Sequence, residues 1–161
     1  MHGRSVETRT IRMNVLEQGE GPTVLFCHGF PETSHAWRHQ IPALANAGFR
    51  AIAPDMRGYG ETDCPSAIDE YTVFHLVGDM VALLDALDVQ TAVSVGNEWG
   101  ATVARQAAQM LPDRFPVVAA LGVPAMGHPP LPPTQLLPQS FDAPPTPLYL
   151  HAPRIPQAVP H

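Results

Sequence analysis

Residues 1–123 predict an α/β fold, a mostly parallel sheet flanked by helices. Three observations lead there. Strand-like and helix-like segments alternate three times, as βαβ units around a parallel sheet require. The strand-like segments are continuous apolar runs, which suits strands covered on both faces. Twelve of the 19 prolines fall in residues 124–161, so the regular elements must end before that segment.

The elements follow in chain order. Residues 5–17 alternate, with Ile11, Met13 and Val15 between Arg12 and Asn14, which predicts one edge strand with a single buried face. Gly19-Glu20-Gly21-Pro22 is a turn, and Thr23–Cys27 a strand buried on both faces. A helix is expected from about Ala36 to Ala47. Phe49–Ala53 is the next strand, closed by Pro54, and Asp55–Pro65 is a loop punctuated by Gly58 and Gly60.

Thr72 is the expected N-cap of the best helix in the chain. Its apolar residues Val73, Leu76, Val77, Met80, Leu83, Leu84 and Leu87 recur at helical spacing. Asp79, Asp85 and Asp88 are expected on its opposite face. Val89–Val95 is a third buried strand, Gly96–Gly100 a sharp turn, Trp99–Leu111 a helix and Val117–Gly122 a fourth parallel strand. The chain thus divides into residues 1–123 and a proline-rich, irregular tail, 124–161.

Composition narrows the partners. Nine basic residues, all arginine, stand against 15 acidic ones, for a net charge of −6. With no basic patch, neither nucleic acid nor an anionic membrane surface is an expected partner. Two cysteines are too few for a disulfide scaffold, and no secretory signal opens the chain, so a cytoplasmic protein is expected. Cys27 reads as a core thiol. Cys64 lies in a loop, with nothing adjacent in sequence to activate it.

The chemistry concentrates at two strand ends. Gly96-Asn97-Glu98-Trp99-Gly100, between a buried strand and a helix, has the small-x-acid-x-small pattern of a nucleophile elbow, with an acid where serine hydrolases keep serine. His28-Gly29-Phe30-Pro31 ends another buried strand, on the edge of the sheet where sites form. Together they offer two backbone donors, Phe30 N–H and Trp99 N–H, converging on one small anion or oxygen. Ser94 lies too early in the strand to be the elbow nucleophile. His28, His35 and His39 complete no known metal-ligand spacing, so no metal and no cofactor is expected. Asp142, with His151 or His161, follows the elbow in nucleophile–acid–histidine order, but a proline-rich tail offers no scaffold to hold them.

These motifs resemble the N-terminal half of an α/β-hydrolase, specifically of the soluble epoxide hydrolases. The likeness runs through His28-Gly29-Phe30-Pro31-Glu32, Trp37-Arg38-His39-Gln40-Ile41-Pro42-Ala43-Leu44, Asp55-Met56-Arg57-Gly58-Tyr59-Gly60-Glu61 and the elbow. The resemblance implies a partial α/β-hydrolase fold lacking the cap and the last strands. It implies an enzyme type that adds water to an epoxide through an alkyl-enzyme ester. In that scheme Glu98 holds the nucleophile position, and Phe30 and Trp99 supply the oxyanion donors. Pro31, after a cis bond, and Trp37 line or support the substrate pocket.

The family's own pattern has aspartate where this chain has Glu98, and usually histidine at Asn97. Its cap tyrosines, catalytic acid and catalytic histidine have no counterpart here, so the chain is expected to be truncated and inactive alone. The full-length relative would act on a small epoxide. The alternatives are a haloalkane or fluoroacetate-type dehalogenase acting on a halide, or a non-catalytic fragment that self-associates through an exposed sheet edge.

Overall fold

The computed structural model describes residues 2–122. The proposed tail, 124–161, with Asp142, His151 and His161, lies outside the described residues.

Six strands form one sheet in the order β1-β2-β4-β3-β5-β6. They are β1 (His2–Glu7), β2 (Arg12–Gln18), β3 (Thr23–Cys27), β4 (Arg50–Pro54), β5 (Ala92–Asn97) and β6 (Val117–Leu121). β3 to β6 are mutually parallel, while β2 runs antiparallel to both β1 and β4. Three helices complete the fold, α1 (Gln40–Asn46), α2 (Val73–Ala86) and α3 (Trp99–Met110).

The sheet separates two apolar clusters because successive side chains of a strand face opposite ways. From β3, Leu25 and Cys27 join Met13, Ile52, Met80, Leu83, Val103 and Phe115 on one face. Val24 and Phe26 join Trp37, Ile41, Ala51 and Ala53 on the other. Burial pushes the Cys27 thiol up to about 12, so it stays protonated, a core group as expected.

Four expectations change in detail. The predicted edge strand is a hairpin, β1–β2. Its turn carries no Gly or Pro signal; Thr8 Oγ1 closes it, donating to the Ile11 carbonyl at 2.6 Å and accepting from the Ile11 N–H at 3.1 Å. The helix expected over 36–47 is split into a 3-10 turn, Ser34–Trp37, and α1, whose Pro42 falls in the first turn, where its missing N–H costs nothing. A second 3-10 turn, Ile68–Tyr71, precedes α2.

The fourth change concerns Asp79. α2 buries the expected stripe, and Thr72 caps it by accepting from the His75 N–H at 3.4 Å. Asp85 and Asp88 are exposed, but Asp79 is fully buried. It grips Arg57 through two hydrogen bonds of 2.7 and 2.8 Å. The expectation of a solvent-facing Asp79 is therefore corrected: three residues after Leu76 and four before Leu83, it shares their face of α2. A buried carboxylate is tolerable there because Arg57 enters as a bidentate partner. The Asp79 hydrogen bonds, opposed in part by burial, raise the Arg57 pKa above its ordinary value.

Candidate active site

β5 leads into α3 through one strained residue. Glu98 has φ 51° and ψ −112°, outside the regions an ordinary side chain prefers. The turn is held on both sides. Its amide donates to the Leu121 carbonyl of β6 at 2.9 Å, while α3 begins at the next residue. The flanking glycines are steric requirements. A Cβ at Gly96 would run into the Gly100 carbonyl, and one at Gly100 into the Cys27 carbonyl.

The second loop leaves the end of β3. Phe30–Pro31 is a cis peptide. A Cβ on Gly29 would stand 3.0 Å from Glu98 Oε2, so the two loops touch here. Phe30 N–H donates to Glu98 Oε2 at 2.7 Å, and Trp99 N–H donates to the same oxygen at 3.3 Å. Among the described residues Oε1 accepts no hydrogen bond. Glu98, Phe30 and Trp99 are each half-buried, and Pro31 is exposed.

Trp37 takes a supporting position. It is 5% exposed and tilts against Phe26 with ring centroids 4.7 Å apart, in the cluster beneath the loop. Ser94 is buried on β5 and donates to the Ala104 carbonyl at 3.3 Å.

Asp55, read from the sequence as a loop-holding residue, and His28, read as part of the His-Gly loop motif, organise the loops. Asp55 accepts from the Ser34 N–H at 2.7 Å and from Asn14 Nδ2 at 2.9 Å, joining the loop after β3 to β2. Burial pushes its carboxyl up, but the hydrogen bonds from Asn14, Ser34 and Glu61 outweigh that and hold it below its ordinary value. His28 is fully buried between the loops. Burial lowers its pKa, against the opposing pull of the Gly29 carbonyl and the Asp55 and Glu32 charges. Tyr59 lies edge-on to His28, and burial, then the Glu98 charge, raises its pKa. The sequence signals for this second layer were His28-Gly29 after β3 and Asp55-Met56-Arg57-Gly58-Tyr59 after β4.

Among the described residues no three histidine, cysteine or acidic side chains group as metal ligands, and no helix is long and apolar enough to cross a membrane. A cleft of about 370 Å³ lies at the far end of the sheet, lined by Gly21, Thr23, Asp88 and Pro116, away from Glu98.

A strand–turn–helix elbow, faced by a loop that aims a second backbone amide at the same atom, is an arrangement that α/β-hydrolase sites use. The family model for the alpha/beta hydrolase fold matches residues 22–145, and the chain belongs to that family. Its relatives include the epoxide hydrolase of Caballeronia sordidicola, 56% identical over 119 residues, 74% of this chain and 36% of the relative. Epoxide hydrolase A of Mycobacterium tuberculosis is 47% identical over 140 residues, 86% of this chain and 44% of the relative. Epoxide hydrolase A from Mycobacterium thermoresistibile superposes with a TM-score of 0.80 at 44% identity, covering 84% of this chain and 43% of that one. The chain therefore spans less than half the length of these relatives.

Proposed function

We propose that the site belongs to an enzyme of the epoxide hydrolase type, which adds water to a small epoxide through an ester on Glu98. The observation that carries this reading is the convergence of the Phe30 and Trp99 N–H groups on one Glu98 oxygen. A carboxylate nucleophile has two oxygens with different tasks, and the geometry separates them. Oε1 attacks the less hindered epoxide carbon. A C–O ester bond forms, the epoxide C–O bond breaks, and the released alkoxide takes up a proton.

Water then attacks Cδ of Glu98. Negative charge develops on Oε2, which already sits against two amide donors, so no reorganisation is needed when the charge appears. Collapse releases the diol and regenerates the carboxylate. A proton donor for the alkoxide and an activated histidine for the water complete the cycle. Among the described residues no histidine hydrogen-bonds Glu98, and the nearby His28 has both ring nitrogens engaged by backbone groups. In this reading residues 2–122 carry the nucleophile and the oxyanion donors, and these residues by themselves would stop at the ester or turn over at a residual rate.

The test is a single-turnover incubation of the full chain with styrene oxide in ¹⁸O-water, followed by peptide mass spectrometry. The expected result is an adduct on the peptide containing Glu98, lost in Glu98→Gln. Where the ester hydrolyses, ¹⁸O enters the Glu98 carboxyl and not the new diol. An adduct elsewhere, or none on Glu98 at high epoxide concentration, defeats the reading.

A dehalogenase would use the same two oxygens with a halide as leaving group, and adduct formation with a haloalkane in place of the epoxide distinguishes it. The non-catalytic alternative, association through a bare sheet edge, draws on β6. There all five residues are exposed, including Val117 at 55% and Leu121 at 49%. The division into a core, 1–123, and a proline-rich tail, 124–161, remains part of the same proposal.

A further inference from the structure

Both nitrogens of the buried His28 ring are engaged. Met56 N–H points at Nε2 at 2.9 Å. A backbone amide can only donate, so Nε2 must be the unprotonated nitrogen. Nδ1 then carries the proton and donates to the Gly29 carbonyl at 2.9 Å. That carbonyl and the Phe30 N–H are opposite ends of one planar peptide unit. Whatever fixes the direction of the carbonyl also fixes the direction of the N–H, which meets Glu98 Oε2 at 2.7 Å.

Other contacts hold the loop but do not tie this peptide to the sheet. Glu32 N–H also donates to the Gly29 carbonyl, at 3.0 Å, and the Glu32 carboxylate accepts from the Gly29 N–H at 3.3 Å. Both lie within the same turn and would move with it. The His28–Met56 bond reaches instead to the residue pair just beyond β4.

We infer that His28 is a positioning residue that aims the Phe30 N–H at Glu98, and that it does so only as the neutral ring protonated on Nδ1. The inference rests on the reading of Glu98 as a carboxylate held by the Phe30 and Trp99 amides. Protonating Nε2 would set an N–H against the Met56 N–H, two donors facing each other in a buried site. The ring must then turn or the loop must shift, and the Gly29–Phe30 peptide goes with it. The charged and titratable groups around the ring are Glu32 on its own loop, Asp55 beyond β4, Tyr59 edge-on at a centroid distance of 4.9 Å, and Glu98 beyond Phe30. Burial outweighs the two nearby acids, so the ring is neutral near pH 7 and charges only in acid.

The test uses the ¹⁵N-labelled full chain. Long-range ¹H–¹⁵N spectra of the His28 ring report its tautomer, and the Phe30 amide is followed against pH. The titration is repeated in Glu98→Gln, which keeps an oxygen acceptor but removes the carboxylate's own ionisation. The expected result is an Nδ1-protonated ring at pH 7 and a Phe30 amide that moves in acid with the His28 midpoint in both proteins. An Nε2-protonated ring overturns the inference. So does a Phe30 amide indifferent to the His28 midpoint, or a change shared by amides throughout the sheet, which would be global unfolding.

Substitution gives a second readout. In His28→Leu, hydrogen exchange at the Phe30 amide should rise by roughly fivefold to tenfold, the scale of one net hydrogen bond. His28→Asn can present an N–H near the Nδ1 position and should recover most of that protection. Should His28→Leu not fold, the wild-type titration and His28→Asn decide. Wild-type exchange in His28→Leu, or no recovery in a folded His28→Asn, defeats the inference. Adduct formation at Glu98 is read separately, so failure of the nucleophile reading leaves these signals unchanged and the two failures are distinct.

Discussion

Glu98 reaches its two amide donors through a side chain of two methylenes and a carboxylate, with Oε2 2.7 Å from the Phe30 nitrogen and 3.3 Å from that of its neighbour Trp99. A shorter acid would draw the carboxylate toward the turn by roughly 1 Å, a displacement that in positioned chemistry is worth about a hundredfold in rate. The epoxide-hydrolase pattern that the sequence resembles implies aspartate here, so Glu98→Asp should form the styrene oxide adduct up to about a hundredfold faster, measured by intact mass against time. A slower or equal rate would mean that this elbow is fitted to glutamate. Asp55 makes a pH prediction at the same scale. Its folded pKa lies below its unfolded value of about 3.9. Its contribution to stability is therefore fully present above that value and is lost as pH falls through the folded pKa. The stability gap between wild type and Asp55→Asn, measured by urea unfolding, should be constant from pH 7 to about 5 and narrow below 4. A gap that persists unchanged at pH 3 would show that the Asp55 hydrogen bonds do not depend on its charge.

Between elements, the buried Arg57–Asp79 pair ties the loop after β4 to α2. The two side chains are 3% and 0% exposed, and Asp79 makes the two shortest bonds to the guanidinium. Removing only Asp79, as in Asp79→Leu, should cost about 3–5 kcal/mol because it leaves the buried guanidinium only the Glu70 carbonyl at 3.1 Å and the Glu70 carboxylate at 4.0 Å. Arg57→Met together with Asp79→Leu should cost clearly less, since neither charge is then left alone. Chemical denaturation of the two single variants and the double one measures this directly, and additive losses would contradict it. The same helix shows how far the sequence was legible. Its apolar stripe and its Thr72 cap could be read from spacing alone, because both are local. Asp79 was assigned to solvent because charge is a poor guide to burial when the partner lies 22 residues away. The β1–β2 hairpin was missed for a similar reason, as its turn depends on the Thr8 hydroxyl and not on Gly or Pro. At the site, the elbow and the His-Gly-Phe-Pro loop were legible as motifs because their glycines mark close approaches. The His28 tautomer was not, since it is set by Met56, an amide that any residue at that position would supply.

At the scale of the whole described fold, the sheet is finished on one side and bare on the other. β2 is paired on both sides and β1 is a short, polar edge strand, whereas β6 presents Val117, Val118 and Leu121 at 55%, 39% and 49% exposure. Its outer edge is unpaired among the described residues, and its inner edge is the neighbour of β5, the strand that carries Glu98. The two are coupled more closely than pairing alone implies, because Leu121 accepts the Glu98 N–H at 2.9 Å. Whatever covers β6 therefore also steadies the elbow. An unpaired apolar strand recruits another strand where it can, and nature blunts such edges with lysine; this chain contains none. The purified chain should then sediment as a concentration-dependent oligomer, and Val118→Lys should shift it toward monomer. It should do so while leaving the Phe30 amide in place, since Val118 pairs with Ser94 in mid-strand and not with the elbow. A monodisperse monomer at concentrations of about 0.1 mM, within the μM–mM range in which exposed edges associate, would show that β6 is already covered. It would also remove the support for the non-catalytic reading.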